Sequence, residues 1–236
     1  MAKITKPTLV SVDAGNGFTN AVTLGNAVQF PSVRAATTDL QLGIEYERQF
    51  DRYVWGEHLF IVGDDVTSVS KRAIERHSGA DRYGDEFHRF LVAVALHKLG
   101  LKSGPIRLAL FAPPGLFAKA KPMMLSRFYG ELAIQLTTEK KATVYDVVEV
   151  TVLPEGLAAA FAIALNDRGE YVNAKALTGR RVVLDIGAYT TDALELQDGN
   201  FNPAMLDAAT RENDGIATHV WLPILNKLKG LHDDFS

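Results

Sequence analysis

The sequence predicts an α/β fold, and three observations predict it. Short apolar strand runs alternate with segments whose apolar residues recur at helical spacing. A strand–turn–strand unit near the N-terminus returns, without gaps, around residue 182. The composition, 47% apolar and 22% charged over 236 residues, is that of a globular chain large enough for one large domain or two modest ones.

Thr8 to Val12 reads as the first strand, ending at Asp13. Ala14-Gly15-Asn16-Gly17 reads as a tight turn, because Asn-Gly readily takes the positive φ of a hairpin, and Phe18 to Leu24 returns. Phe30-Pro31-Ser32 opens a stretch of broken strand patterns. It closes with a hairpin over Arg52 to Gly63, turning at Gly56-Glu57, its aromatics in the core. From Asp85 a helix is predicted, since Phe87, Phe90, Leu91 and Val94 form one apolar stripe and Gly100 supplies a stop. A strand over Ile106 to Phe111 ends at Pro113-Pro114-Gly115, and a second helix is expected over Lys119 to Leu136. Val147 to Leu153 is the next strand, entered through a loop at 143–146 and ended by Pro154. A helix then runs from Glu155 to about Asn166. Arg180 to Leu184 reads as a buried strand ending at Asp185, with Thr190 to Leu196 as its return. Asp198-Gly199 is a turn, and Phe201 to Leu206 is expected as a third strand. In the last segment Ile216, Val220, Ile224 and Leu228 keep helical spacing, and Pro223 is expected to kink or split that helix.

The internal echo carries the chemistry. Val10 to Leu24 aligns with Val182 to Leu196, and Val, Asp, Gly, Thr, Ala and the final Leu coincide. Each copy is a strand, an acid at its end, a glycine turn and a second strand. Consecutive backbone N–H groups at such a turn form an anion-binding nest. Glycine lets that backbone approach a phosphate closely. Hydroxyls at Thr19, Thr190 and Thr191 are candidate further donors, and a carboxylate at each strand end suits magnesium, which keeps several waters beside a triphosphate. Alone, either Asn-Gly or Asp-x-Gly is an ordinary hairpin; the in-register pair is the signal.

These two segments resemble the phosphate-1 and phosphate-2 motifs of the actin, sugar kinase and chaperone ATPase superfamily. Between them, Val152-Leu153-Pro154-Glu155-Gly156-Leu157-Ala158-Ala159-Ala160 is similar to that superfamily's connecting motif. Phe30-Pro31-Ser32, the Tyr53 to Gly63 stretch and Pro-Glu-Gly resemble the ParM-type branch. The resemblance implies an actin-like, ribonuclease H-like fold of two domains. Domain I would cover 1–153, with a smaller inserted subdomain at about 26–80, and 154–236 would form the first part of domain II. It implies ATP and Mg²⁺ as ligands, with Asp13 and Asp185 at the metal. Gly15, Asn16, Gly17 and Thr19 would form the first phosphate loop, and Gly187, Ala188, Thr190 and Thr191 the second. Glu155 would position the attacking water; otherwise it is a first-turn helix glutamate favoured by the dipole.

The chain departs from the superfamily after the second motif. About 50 residues follow Asp185, without the adenosine-contacting glycine motif, so the second domain is expected to be incomplete, as a fragment or as a protein completed by another chain. Asn213-Asp214-Gly215 resembles the glycine helix start that follows phosphate 2.

The expected function is an ATP-hydrolysing protein that polymerises into filaments for plasmid segregation or a related cytoskeletal role. A small-molecule kinase of the same superfamily and a non-hydrolysing binding or capping module are the alternatives. A net charge of -3 offers no basic surface, so any link to DNA is expected through an adaptor, and Lys71-Arg72 with Arg76 reads as a solvated face. With no cysteine, neither a disulfide framework nor a thiolate zinc site exists. The first residues lack the apolar run of a signal peptide and no stretch is long enough for a membrane span, so a cytoplasmic location is expected. There is no GxxxxGK[ST] loop and no HExxH.

Overall fold

A computed structural model describes residues 6–37, 50–68, 73–77, 80–166, 168–206, 209–212 and 214–229. The chain forms two compact units, one of residues 1–111 and 120–152, the other of 112–119 and 153–236. The second unit takes in residues 112–119 as well as those from 153 onward.

The first unit is organised by a ten-stranded sheet in the order β3-β2-β1-β8-β10-β9-β5-β6-β4-β7. β1 (Thr8–Ala14), β2 (Phe18–Thr23) and β3 (Asn26–Pro31) form an antiparallel meander. β4 is Arg34–Ala36, β5 Tyr53–Trp55, β6 His58–Val62 and β7 Ile74–Glu75. β8 (Gly104–Ala112) runs parallel to β1, Val10 beside Leu108, and both are sealed from solvent. α1 (Glu86–Lys98) lies on β1, β2 and β9. Its predicted stripe is buried, and so is every residue from Val92 to Leu96, so α1 is a core helix and not an amphipathic surface one. Asp85 caps it, accepting from the His88 amide at 2.7 Å. Val33, Ala35, Phe50, Ile61 and Val66 make a smaller core under β4 and β6, within the region expected as an insertion. Residues 38–49, 69–72 and 78–79 of that region, including Lys71 and Arg72, lie outside the described residues.

Two assignments change. The stretch expected as one helix over 119–136 is α2 (Phe117–Phe128) followed by β9 (Gly130–Leu136). Gly130 takes φ +96, which stops the helix, and Leu132 and Ile134 then alternate into the core as a strand requires. The loop expected at 143–146 is the start of β10 (Thr143–Pro154), paired with β9 so that Tyr145 faces Leu132.

The second unit carries a four-stranded sheet, β11 (Arg180–Ile186), β12 (Thr190–Gln197) and β13 (Asn200–Phe201) in that order, with β14 (Thr210–Glu212) also on β12. β11 was expected to be buried, yet Val182, Leu184 and Ile186 are more than half exposed. Among the described residues it pairs only with β12, which makes it an edge strand. The third strand is cut to two residues by Pro203, where a 3₁₀ turn begins. α3 (Leu157–Ala164) starts two residues later than expected. The last helix is split as Pro223 predicts: a π-turn over Ala217–Trp221 gives way to α4 (Leu222–Lys229), whose second position is the proline. Among the described residues no helix is long and apolar enough to cross a membrane.

Candidate functional site

β1 delivers Asp13 to its next-to-last position, half-buried, and residues 15–17 form the turn to β2. Asp13 stands opposite Asn20, and Ala14 opposite Thr19. The turn does not use the positive φ expected of Asn-Gly, and three residues connect the strands. Glycine is needed at 15 for another reason: a Cβ there would lie 3.1 Å from the Phe18 carbonyl oxygen. The hairpin closes on its own backbone. Gly17 is tied back by the Ser32 amide, which donates to its carbonyl at 2.9 Å. One end of the Asn16 side-chain amide, Oδ1, is buried with no partner.

Thr19 departs from expectation. Its side chain is fully buried and its hydroxyl shares a 2.9 Å hydrogen bond with Ser32. As the second residue of β2 it points into the core, and its hydroxyl braces the hairpin from beneath.

In the second unit β11 and β12 repeat this arrangement in the same register. Asp185 stands opposite Asp192 and Ile186 opposite Thr191, the residues that the gap-free alignment sets against Asp13, Asn20, Ala14 and Thr19. A Cβ on Gly187 would lie 3.3 Å from the Thr190 carbonyl oxygen, the same three-residue offset as at Gly15. The Gly187 amide donates to that carbonyl at 2.9 Å, so it closes the turn, and the amides of Ala188 and Tyr189 follow at the tip. The expected hydroxyl donors are engaged here too. Thr190 donates to Asp192 at 3.1 Å and Thr191 to the Asp214 carbonyl at 2.6 Å. Both fix the loop's shape.

The turn rests on the start of the final helical segment. Ile216 and Ala217 amides donate to the Gly187 and Ala188 carbonyls at 3.0 and 2.8 Å. This contact is backbone against backbone, since a Cβ on Gly215 would fall 2.6 Å from the Gly187 oxygen. Gly215 therefore fills the place expected of a glycine helix start; Asn213 lies outside the described residues.

Glu155 follows β10 directly. Its amide donates to the Ala112 carbonyl at 2.8 Å, and Gly156, at φ +85, lies against Val183 and Leu194 of the β11–β12 hairpin. The helix begins only at Leu157, so Glu155 stands outside its first turn.

A sequence model of the family described as "Actin like proteins N terminal domain" matches residues 11–157. The chain belongs to the actin-like proteins. Solved structures agree on the fold. An archaeal actin homologue superposes with a TM-score of 0.76 at 20% identity, over 96% of this chain and 67% of that one. The ParM protein of psk41, without ligand, gives 0.71 at 16% identity over 98% and 75%, and an AlfA filament bound to AMPPNP gives 0.65 at 19% over 97% and 78%. The archaeal homologue has also been solved with ADP. No curated protein matches the sequence.

This actin-like protein also holds a buried network that no motif announced. Asp192 is 2% exposed; Thr190 donates to one of its carboxylate oxygens and Thr210 to the other, while the Gly115 amide donates to Thr210 at 2.8 Å. Three segments are tied together through one acid. Its signal in the sequence is a polar residue on the face shared by Leu194 and Leu196, both sealed in the core. Burial raises the Asp192 pKa; the threonine hydroxyls oppose the shift and the charge of Asp185 adds to it. An acid whose folded pKa lies above its unfolded value binds more protons in the fold, so its contribution to stability falls as pH rises from the ordinary 3.8 through the raised value, and is level above it. Urea unfolding across that window should show this decline in the wild type relative to Asp192→Asn; parallel profiles would count against it.

Proposed function

We propose that the chain is a filament-forming ATPase whose hairpins at Asp13 and Asp185 are each built to bind the phosphates and magnesium of Mg-ATP. The observation that carries this reading is the repeated hairpin: same register, an acid at corresponding positions, and a glycine against the carbonyl three residues on. Independent turns have no reason to share all three.

Asp13 and Asp185 are the carboxylates that would hold magnesium. Among the described residues no three His, Asp or Glu side chains gather into a protein cage. That fits Mg²⁺, which takes one or two carboxylates and completes its shell with water and phosphate. The unpartnered Asn16 Oδ1, an acceptor, fits the same environment, since it would accept a hydrogen bond from a metal-bound water. When bound, the metal would neutralise charge on the phosphates. The protein's own share is positional. The turn amides of residues 15–17 and of Ala188 and Tyr189 would bind phosphate oxygens. Glu155 would orient the attacking water and accept its proton as the bond between the γ-phosphorus and the β,γ-bridging oxygen breaks. Thr19, Thr190 and Thr191 hold the loops from behind.

Self-association into filaments is proposed from the AlfA filament's likeness in fold. A DNA-bound adaptor, a role in plasmid segregation and a cytoplasmic location belong to the same proposal. Titration calorimetry with ATP, with and without magnesium, tests its first step: uptake that depends on magnesium is expected. Electron microscopy of the same sample tests the second, where the absence of polymer with any nucleotide defeats the filament reading.

A further inference from the structure

We infer that Arg82 is a positioning residue of the first hairpin, fixing its tip and giving it positive charge for a phosphate-bearing anion; this rests on the nucleotide reading above. Arg82 ends a short 3₁₀ turn, Ala80–Arg82, just ahead of α1. Its residue is only 4% exposed, yet its guanidinium reaches the hairpin, where Nη2 donates to the Ala14 carbonyl at 2.6 Å. Ala14 is the residue between Asp13 and Gly15. The arginine thus grips the peptide at the point where the strand becomes the phosphate turn.

The second observation is what Arg82 lacks. Its Nε is sealed from solvent and has no hydrogen-bond partner. Among the described residues no ion pair reaches the guanidinium, whose remaining contact is the Tyr83 ring, 4.8 Å from Cζ. A buried cation that finds one carbonyl and one aromatic face is poorly compensated, and folds rarely retain such a group without an anion to meet it. A carbonyl cannot neutralise it, and the hydrophobic alternative, a leucine or methionine, would fill the same space at lower cost.

The ring packed beside the guanidinium supplies no negative charge. His88, 2% exposed, accepts from the Gly84 amide at Nδ1, which fixes the ring in its neutral form. Burial, and then the charge of Arg82, hold its pKa down to about 3. Tyr83 and Phe128 meet that ring edge-on and complete an apolar wall. A cation behind the tip, in a low-dielectric setting, raises the potential felt by an anion at the turn, and more strongly the greater the anion's charge.

This separates a charge role from a packing role. Calorimetry of the full chain with ATP, ADP and AMP, each with magnesium, should show graded losses in Arg82→Gln: at least tenfold for ATP, less for ADP, and within twofold for AMP. Arg82→Lys, which keeps the charge, should recover most of the ATP affinity. Equal losses for all three ligands, or no recovery with lysine, overturn the inference and leave Arg82 as a packing residue. Should Arg82→Gln fail to fold, Arg82→Lys decides alone: ATP affinity within threefold of wild type supports the charge role, and a loss equal for ATP and AMP overturns it. A wild type that binds none of the three would instead remove the nucleotide reading itself.

Discussion

Glu155→Ala is expected to leave Mg-ATP affinity within about threefold of wild type while slowing hydrolysis by about 100-fold or more, the scale of a lost general base. The expectation rests on how the residue is held. Its amide is bonded to Ala112 and the next residue, Gly156, sits at φ +85 against Val183 and Leu194. The backbone is therefore pinned on both sides within the second unit. The bland account of this glutamate was a helix first turn, where an acid offsets the dipole. The helix begins two residues later, with Gly156 as its cap, so that account has lost its position. Glu155→Gln keeps the shape and removes the basicity, and should be nearly as slow as alanine. Single-turnover phosphate release and equilibrium titration on the same samples separate the two quantities. A hydrolysis rate unchanged in both variants takes the catalytic role from Glu155, and no hydrolysis in any of the three assigns the chain to the non-hydrolysing binders.

What could be read in the sequence was what neighbouring residues decide among themselves. The two acid–glycine hairpins, the α1 stripe and the Gly56-Glu57 turn are local patterns, and they stand where the residues put them. The misread elements depend on distant partners. The 143–146 segment is a strand because β9 lies beside it, and β9 begins where Gly130 ends the preceding helix. Apolar composition made β11 look buried, but burial needs neighbours, and Val182 and Leu184 stand at a sheet edge. The same division runs through the site. Asp13, Asp185 and the two glycines were visible as motifs. The fate of the hydroxyls was not, since Thr19 turns inward to Ser32 and the Asp192–Thr210–Gly115 chain joins residues up to 95 apart. A sequence shows which groups a turn contains, and packing decides which of them face outward.

Gly215→Ala is expected to be the most damaging single methyl in the second unit. The added carbon would lie 2.6 Å from the Gly187 oxygen and 2.7 Å from the carbonyl carbon and oxygen of Ala188. Those atoms are backbone, and they are fixed in turn by the Ile216 and Ala217 amides and by the Gly187–Thr190 bond. Relief requires the helical segment to move off the turn, which stretches two hydrogen bonds worth about 1 kcal/mol each. Overpacking adds about 1–3 kcal/mol, so a loss of about 3–5 kcal/mol in unfolding free energy is expected. Gly25→Ala is the control: Gly25 sits at φ +82 with nothing within 4 Å of a Cβ, so strain alone should cost it about 1 kcal/mol. The functional loss should exceed the loss of stability, because what the intruding methyl displaces is the Ala188 turn itself. At a temperature where Gly215→Ala remains folded, its ATP affinity should fall at least tenfold while Gly25→Ala binds as wild type. Equal affinities for the two variants would mean that the turn of residues 187–189 does not touch the ligand. The second half of the repeated hairpin would then be architecture alone.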